Sequence, residues 1–350
     1  MSSNAAEAEV LSIISVCSTF PEALEVEVPR ENMISTLVGQ LKRNTEIIVV
    51  EGEEGIGKTT LMSQFARAHR DQTLSAFVSD TSRYAWDPMM VAQNLHEQIQ
   101  FALGNMKFRK PPASDIHSTL RNDVAQLQKK ANWERTTYYF LIDGLEDVPQ
   151  VESGAVDQIL DLLPIGLSTF RFLLTGSTEK LAALRKGRIT LKPWTLPPFS
   201  LDETVKLFRD LEVSREHFET IYKLSNKGIP GKLAAVRRIC ASAGSTPDQV
   251  LTNFGEHAPN LLEEEWSVVT KAPEEMHFAL AAVCFDTRRH NLHTLARLCG
   301  IEISRLKGFL ESCTFVQWTG CERHLSFASY FRKFGFIRKV CTWIHAVLRA

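Results

Sequence analysis

The residues with chemistry to offer stand close together in the chain. From Val49 to Thr60 it reads VVEGEEGIGKTT, so Gly52 is followed by four residues and then by Gly57-Lys58-Thr59. In the pattern G-x-x-x-x-G-K-[ST], glycines let the backbone bend until consecutive N–H groups converge on phosphate oxygens at the positive end of a helix. Gly52, Glu53, Glu54, Gly55, Ile56, Gly57, Lys58, Thr59 and Thr60 therefore form a candidate nucleotide-binding set. Lys58 reaches the β- and γ-phosphates, and Thr59 offers a hydroxyl to Mg²⁺. Downstream, residues 138–147 read YYFLIDGLED. Parallel sheets gather ligands at the carboxyl ends of their strands, so Asp143 is placed to hold Mg²⁺ with Thr59, directly or through a coordinated water. Glu146, three residues on, is placed to orient a water for attack on the γ-phosphate, with Asp147 beside it as the alternative to face that water. Glu146 and Lys58 are the candidate catalytic pair. A buried strand ending in aspartate is common as plain structure; its place downstream of a phosphate loop gives this one a metal role.

These residues need a scaffold, and the flanking patterns supply one. Ile47-Ile48-Val49-Val50 is a short β-branched run of the kind that makes a buried parallel strand. Behind the loop, Leu61, Met62, Phe65 and Ala66 share one face of a helix. Ahead of it, Pro29-Arg30-Glu31 opens an amphipathic helix with Met33, Leu37 and Leu41 as its stripe. Further strands are expected at Leu74–Val78, Tyr138–Asp143, Phe170–Leu174 and Ile189–Leu191, alternating with helical patterns. The fold class is therefore α/β: a P-loop NTPase parallel sheet with helices on both faces. At the fourth strand end, Thr175-Gly176-Ser177 reads equally as nucleotide contact or as a plain turn. Pro193, Pro197 and Pro198 mark a linker. Beyond it come helices without strands, broken at Gly228-Ile229-Pro230-Gly231, which make a helical lid domain. A helix-turn-helix pattern hinged on Gly300, two short strands and a closing helix from Ser329 follow, and suggest a winged-helix domain. The expected divisions are a lead-in at 1–28, the NTPase domain at 29–195, the lid at 196–260, the winged helix at 261–339 and a tail at 340–350.

Composition narrows the function. The 350 residues carry 40 Lys and Arg against 41 Asp and Glu, so no global charge argues for nucleic acid or membrane. Seven scattered cysteines without C-x-x-C spacing read as reduced thiols of a cytoplasmic protein. Glu7 and Glu9 precede the first apolar stretch where a secretory signal needs positive charge. No apolar run approaches the length of a membrane span. His290 and His293 form the one close histidine pair and have no ligand cluster beside them, so no metal beyond Mg²⁺ is expected.

Taken in order, these parts resemble the signal-transduction ATPases with numerous domains, the STAND class, with a NACHT- or apoptosome-like core. The resemblance runs from about Pro29 to Phe334. GEEGIGKTT and FLIDGLED resemble the family's two nucleotide motifs, and Asp143-Gly144 is especially NACHT-like. Arg30-Glu31 resembles its G-R-E-like start, which implies a place for Arg30 near the adenine. WTLPPFSLDETVKL resembles the segment leading into its lid. Gly228-Ile229-Pro230 resembles its G-L-P turn, which implies that Pro230 packs against the base. LSFASYFRKF, residues 325–334, resembles the end of its winged helix. The resemblance implies an ATP- and ADP-binding regulatory switch with slow hydrolysis. Nucleotide state would set how the domains dock, and docking would control self-association or binding of partner proteins. Three departures stand out. Ser177 occupies a position where the family often has an arginine for the γ-phosphate. Ala328 occupies the place of a histidine that holds ADP. The chain also ends just after the winged helix, where the family usually carries a repeat sensor. Two other readings are open. One is an AAA+-like replication-initiator-type ATPase binding DNA through its winged helix, since ten Arg or Lys face four acids between Asp286 and Lys339. The other is a non-hydrolysing nucleotide-bound scaffold, suggested by Ser177 and Ala328.

Overall fold

The computed structural model describes residues 12–21, 23–24, 26–42, 47–78, 86–105, 110–148, 153–179, 181, 191–242, 270–285, 290–312, 316–319 and 324–327. The chain forms two compact units. The first takes Met1–Pro21, Pro29–Gly52 and Lys58–Leu196; the second takes Glu22–Val28, Glu53–Gly57 and Pro197–Ala350.

The first unit is built on five strands, β1 (Ile47–Glu51), β2 (Thr73–Phe77), β3 (Tyr138–Asp143), β4 (Phe170–Thr175) and β5 (Leu191–Thr195). All pair in parallel, in the order β2-β3-β4-β1-β5. Its helices are α1 (Glu31–Lys42), α2 (Lys58–Ala68), α3 (Pro88–Ala102), α4 (Ile116–Glu134) and α5 (Ser153–Asp161). Side-chain alternation along β3 shows how they divide between the faces. Tyr138, Phe140 and Ile142 join a core with Val91, Leu95 and Ile99 of α3, Leu120 and Leu127 of α4, and Ile159 of α5. Tyr139 points the other way, and its ring meets Phe65 of α2 edge-on at 5.1 Å. Helices therefore cover both faces, which is why the strands read as continuous apolar runs rather than alternating ones.

The order has a consequence for the site. The β1–α2–β2 connection passes over β3 and β4 toward one edge, whereas β4 leads on to β5 at the other. Crevices for ligands open at such switch points, outside the carboxyl ends of the strands. β4 lies between β1 and β3, so Thr175 comes between the end of the phosphate-loop strand and Asp143.

The edges are treated differently. The β2 edge is covered by a side chain: Gln98 of α3 accepts from the Ser75 N–H at 2.8 Å and donates to the Ser75 carbonyl at 2.8 Å. Thr19, from the N-terminal segment, accepts the Phe77 N–H at 3.0 Å. β5 is the other edge, and here the expectation needs correction. A strand over Ile189–Leu191 ending before Pro193 was the sequence reading, yet β5 runs through Pro193, which pairs opposite Val49. An edge strand tolerates proline because one of its sides has no ladder to donate to.

In the second unit, α6 (Leu201–Leu207), α7 (His217–Leu224) and α8 (Pro230–Ser242) pack around Phe199, Phe208, Ile221, Leu233 and Val236, joined by Val28. Ser200 caps α6 in a reciprocal capping box with Glu203. Farther along come α9 (Glu274–Phe285), α10 (Leu292–Cys299) and α11 (Ile303–Ser312). Three short strands, β6 (His290–Asn291), β7 (Val316–Thr319) and β8 (His324–Phe327), form an antiparallel sheet in the order β6-β8-β7. Among the described residues, three helices are thus followed by an antiparallel hairpin of β7 and β8. The helix expected from Ser329, and Ala328 itself, lie outside the described residues.

Candidate nucleotide site

The loop from Gly52 to Gly57 joins β1 to α2. It turns at Glu53–Ile56, where the Ile56 N–H donates to the Glu53 carbonyl at 3.3 Å and Gly55 takes a φ of 75°. Only glycine holds that left-handed conformation without strain. The Ile56 side chain is buried and anchors the turn, while Glu53 is exposed.

Lys58 opens α2. Its Nζ donates to the Gly52 carbonyl at 2.7 Å and lies 3.0 Å from Glu146 Oε1. The ammonium is thus curled back over the loop, the position from which it would reach a terminal phosphate. Thr59 follows, and its hydroxyl donates to Asp143 Oδ2 at 2.7 Å. Thr60 is the third residue of α2, and its carbonyl accepts from the Ser63 hydroxyl at 2.9 Å.

Asp143 is 3% exposed at the end of β3. Its Oδ1 accepts from the Thr175 hydroxyl at 2.9 Å, and the same hydroxyl accepts the Gly144 N–H at 2.8 Å. One threonine therefore fixes both the carboxylate and the start of the turn carrying Glu146. Sequence reasoning left the 175–177 segment open between nucleotide contact and turn. The structure places Thr175 against the aspartate instead. The only signal was a polar residue ending a strand that proves to neighbour β3.

Thr59 and Asp143 fit Mg²⁺. A buried carboxylate is costly to desolvate, and a divalent cation would supply opposing charge beside it. Among the described residues no group of three His, Cys, Asp or Glu could hold a metal unaided.

Two residues singled out through the family resemblance are also placed. Arg30 is buried, and its backbone N–H donates to Gln64 Oε1 of α2 at 3.0 Å, tying the start of α1 to the helix that leaves the loop. Pro230 begins α8 in the second unit, where its Cγ would stand 3.8 Å from a Cβ at Gly57. The same turn holds a residue that sequence reasoning passed over. The Gly231 N–H donates to the Gly55 carbonyl at 2.8 Å.

Residues 29–175 match the family described as Novel STAND NTPase 6. This bears out the STAND-class resemblance and the P-loop NTPase fold for that stretch. Among solved structures, a STAND protein with a tetratricopeptide-repeat sensor from Pyrococcus horikoshii superposes with a TM-score of 0.53 at 18% identity, over 95% of this chain and 44% of its own. The chain thus spans less than half the length of that protein. A Walker-type ATPase of Pyrococcus abyssi gives 0.48 at 14% identity, over 91% of this chain and 99% of its own. The ORC2 protein of Aeropyrum pernix gives 0.41 at 14%, over 95% and 98%. At such identities the likeness to the Pyrococcus horikoshii protein concerns the fold. Among the described residues no helix is long and apolar enough to cross a membrane.

Proposed function

We propose that the protein is an ATP-binding regulatory switch in which the resident nucleotide controls domain docking and self-association. The observation that carries this reading is the convergence of Lys58, Thr59, Asp143 and Glu146 at the carboxyl ends of β1 and β3, held by hydrogen bonds of 2.7–3.0 Å. The loop amides and Lys58 bind the phosphates. Thr59 and Asp143 would hold Mg²⁺, which when bound would supply charge neutralisation for the phosphates. Thr175 keeps the Asp143 carboxylate turned toward Thr59. Glu146 orients the attacking water, but its carboxylate also pairs with Lys58, so it must give up that pair to act. Hydrolysis is correspondingly slow, and which nucleotide is resident matters more than turnover.

The same Lys58–Glu146 pair favours a second reading, a nucleotide-bound scaffold that does not hydrolyse. Solution mass measured with ADP and with a non-hydrolysable ATP analogue separates the two. A switch changes its assembly state with the nucleotide; a scaffold keeps one mass throughout. The DNA-binding alternative gains less from the structure, because Arg305 on α11 is ion-paired with Glu275 of α9 at 2.6 Å. Salt-dependent retention of duplex DNA by the full chain would restore it.

A further inference from the structure

We propose that Gly231 is a positioning residue that couples the phosphate loop to α8 through the main chain. The inference rests on the nucleotide-binding reading and deepens it. Gly55 and Gly231 belong to the same compact unit and touch backbone to backbone. A Cβ built at Gly231 would stand 3.0 Å from Gly55 Cα and 3.1 Å from Gly55 O, so a side chain would push the loop backbone away by a few tenths of an ångström. The first N–H groups of any helix lack an intrahelical acceptor. In α8 the first residue is Pro230, which has no N–H, and the second is Gly231, whose N–H is satisfied by the Gly55 carbonyl at 2.8 Å. The phosphate loop is therefore the cap of α8.

Both sides of this contact are held in place. On the loop side, the Gly55–Ile56 peptide is fixed at its other end by the Ile56 N–H bond to Glu53. On the helix side, Asn226, Lys227 and Gly228 all have left-handed φ values, of 52°, 59° and 94°. Two consecutive non-glycine residues in that region store strain that the surrounding structure must hold. It is held by Phe199, whose N–H donates to the Gly228 carbonyl at 2.8 Å, and by Ser225, whose hydroxyl accepts the Gly228 N–H at 3.1 Å. Ile229, 1% exposed, locks the turn from inside.

Rotation of the Gly55–Ile56 peptide would break the Ile56 N–H bond to Glu53 and take the acceptor from the Gly231 N–H. Loop amides that converge on phosphate oxygens need the turn unrotated. Nucleotide binding and capping of α8 therefore select the same peptide orientation, and each strengthens the other by the same factor.

The test uses the full chain, its Gly231→Ala variant, and Lys232→Ala as a control in the same helical turn. Affinity for Mg·ADP and for a non-hydrolysable Mg·ATP analogue is measured beside hydrogen exchange of residues 231–242. In the unaltered chain nucleotide slows exchange in α8 by at least about fivefold, the lower end of ordinary coupling. Gly231→Ala reduces the affinity and the nucleotide-dependent protection by matching factors; Lys232→Ala changes neither. A Gly231→Ala protein that merely folds poorly loses protection with and without nucleotide alike. In that event Gly55→Ala, strained by its φ of 75°, must uncouple the two readouts for the proposal to stand. Full nucleotide-dependent protection in a folded Gly231→Ala overturns the coupling while leaving the nucleotide site intact. If the unaltered chain binds neither nucleotide, the switch reading falls, and the coupling with it.

Discussion

Asp143 shows how much chemistry rests on one side chain. Its two oxygens accept from Thr59 and Thr175, so Asp143→Asn would set an amide NH₂ against a hydroxyl that now donates. We expect Mg²⁺-dependent nucleotide affinity to fall and stability to drop by about 1–3 kcal/mol, measured by calorimetric titration and denaturant unfolding. Thr175→Val removes a hydroxyl that both donates and accepts. It should lower phosphate release while leaving ADP affinity within about threefold, because it orients the carboxylate without reaching the nucleotide; an equal loss of both would assign Thr175 a direct contact. For Glu146→Gln the expected signs are opposite. Removing the carboxylate that competes for Lys58 should tighten ATP binding by up to about fivefold, the upper range of a partly exposed ion pair, and abolish phosphate release. Unchanged release in this variant would show that Glu146 does not position the water. The loop, Asp143 and Glu146 were legible in the sequence because their spacing follows from covalent geometry and from one strand's length. Thr175 and Gly231 were not, since each matters through a neighbour more than 30 or 170 positions away in the chain.

At the scale of elements, burial patterns carried most of the information. Strands buried on both faces announce themselves as apolar runs, and four of the five fell within a residue or two of where the pattern placed them. The fifth, β5, is an exposed edge strand carrying Lys192 and Pro193, so neither its composition nor its length was diagnostic. The opposite edge depends on Gln98, whose amide does for Ser75 what a sixth strand would do. Gln98→Leu leaves the buried Ser75 N–H and carbonyl without that partner. It should cost about 1–3 kcal/mol in denaturant unfolding, the cost of one orphaned N–H, since the Ser75 carbonyl still accepts from the Cys17 thiol at 3.1 Å; a cost under half a kcal/mol would mean that water replaces the amide. The end of α2 carries a pH dependence. His69 lies between Phe65 and Tyr139, at ring distances of 4.9 and 5.4 Å, and burial, then the charge of Lys42, lowers its pKa below 6.5. The unfolded chain therefore takes up this proton at a higher pH than the folded one. The resulting stability is complete above about pH 6.5 and is lost as pH falls below it. Relative to the unaltered chain, His69→Gln should flatten the decline of melting temperature between about pH 6.5 and 5; parallel curves would place the titration elsewhere.

For the molecule as a whole, the order of the parts says more than any part. A phosphate loop alone specifies a nucleotide site. A loop whose turn caps α8 specifies, on the coupling proposed above, a way for that site to be felt outside the loop. Near-balanced charge gives no long-range pull toward nucleic acid, which leaves protein assembly as the output to be measured. What the sequence could not convey was that the Gly55 carbonyl meets the Gly231 N–H, a fact of tertiary packing that no local pattern encodes. The central claim is that Lys58 and the loop amides hold a nucleotide's phosphates, and calorimetric titration of Mg·ATP into the full chain and into Lys58→Ala tests it most directly. Loss of a charged hydrogen bond of about 1.5–3 kcal/mol predicts affinity lower by roughly tenfold to a hundredfold in the variant. Equal affinity in the two proteins would contradict the account.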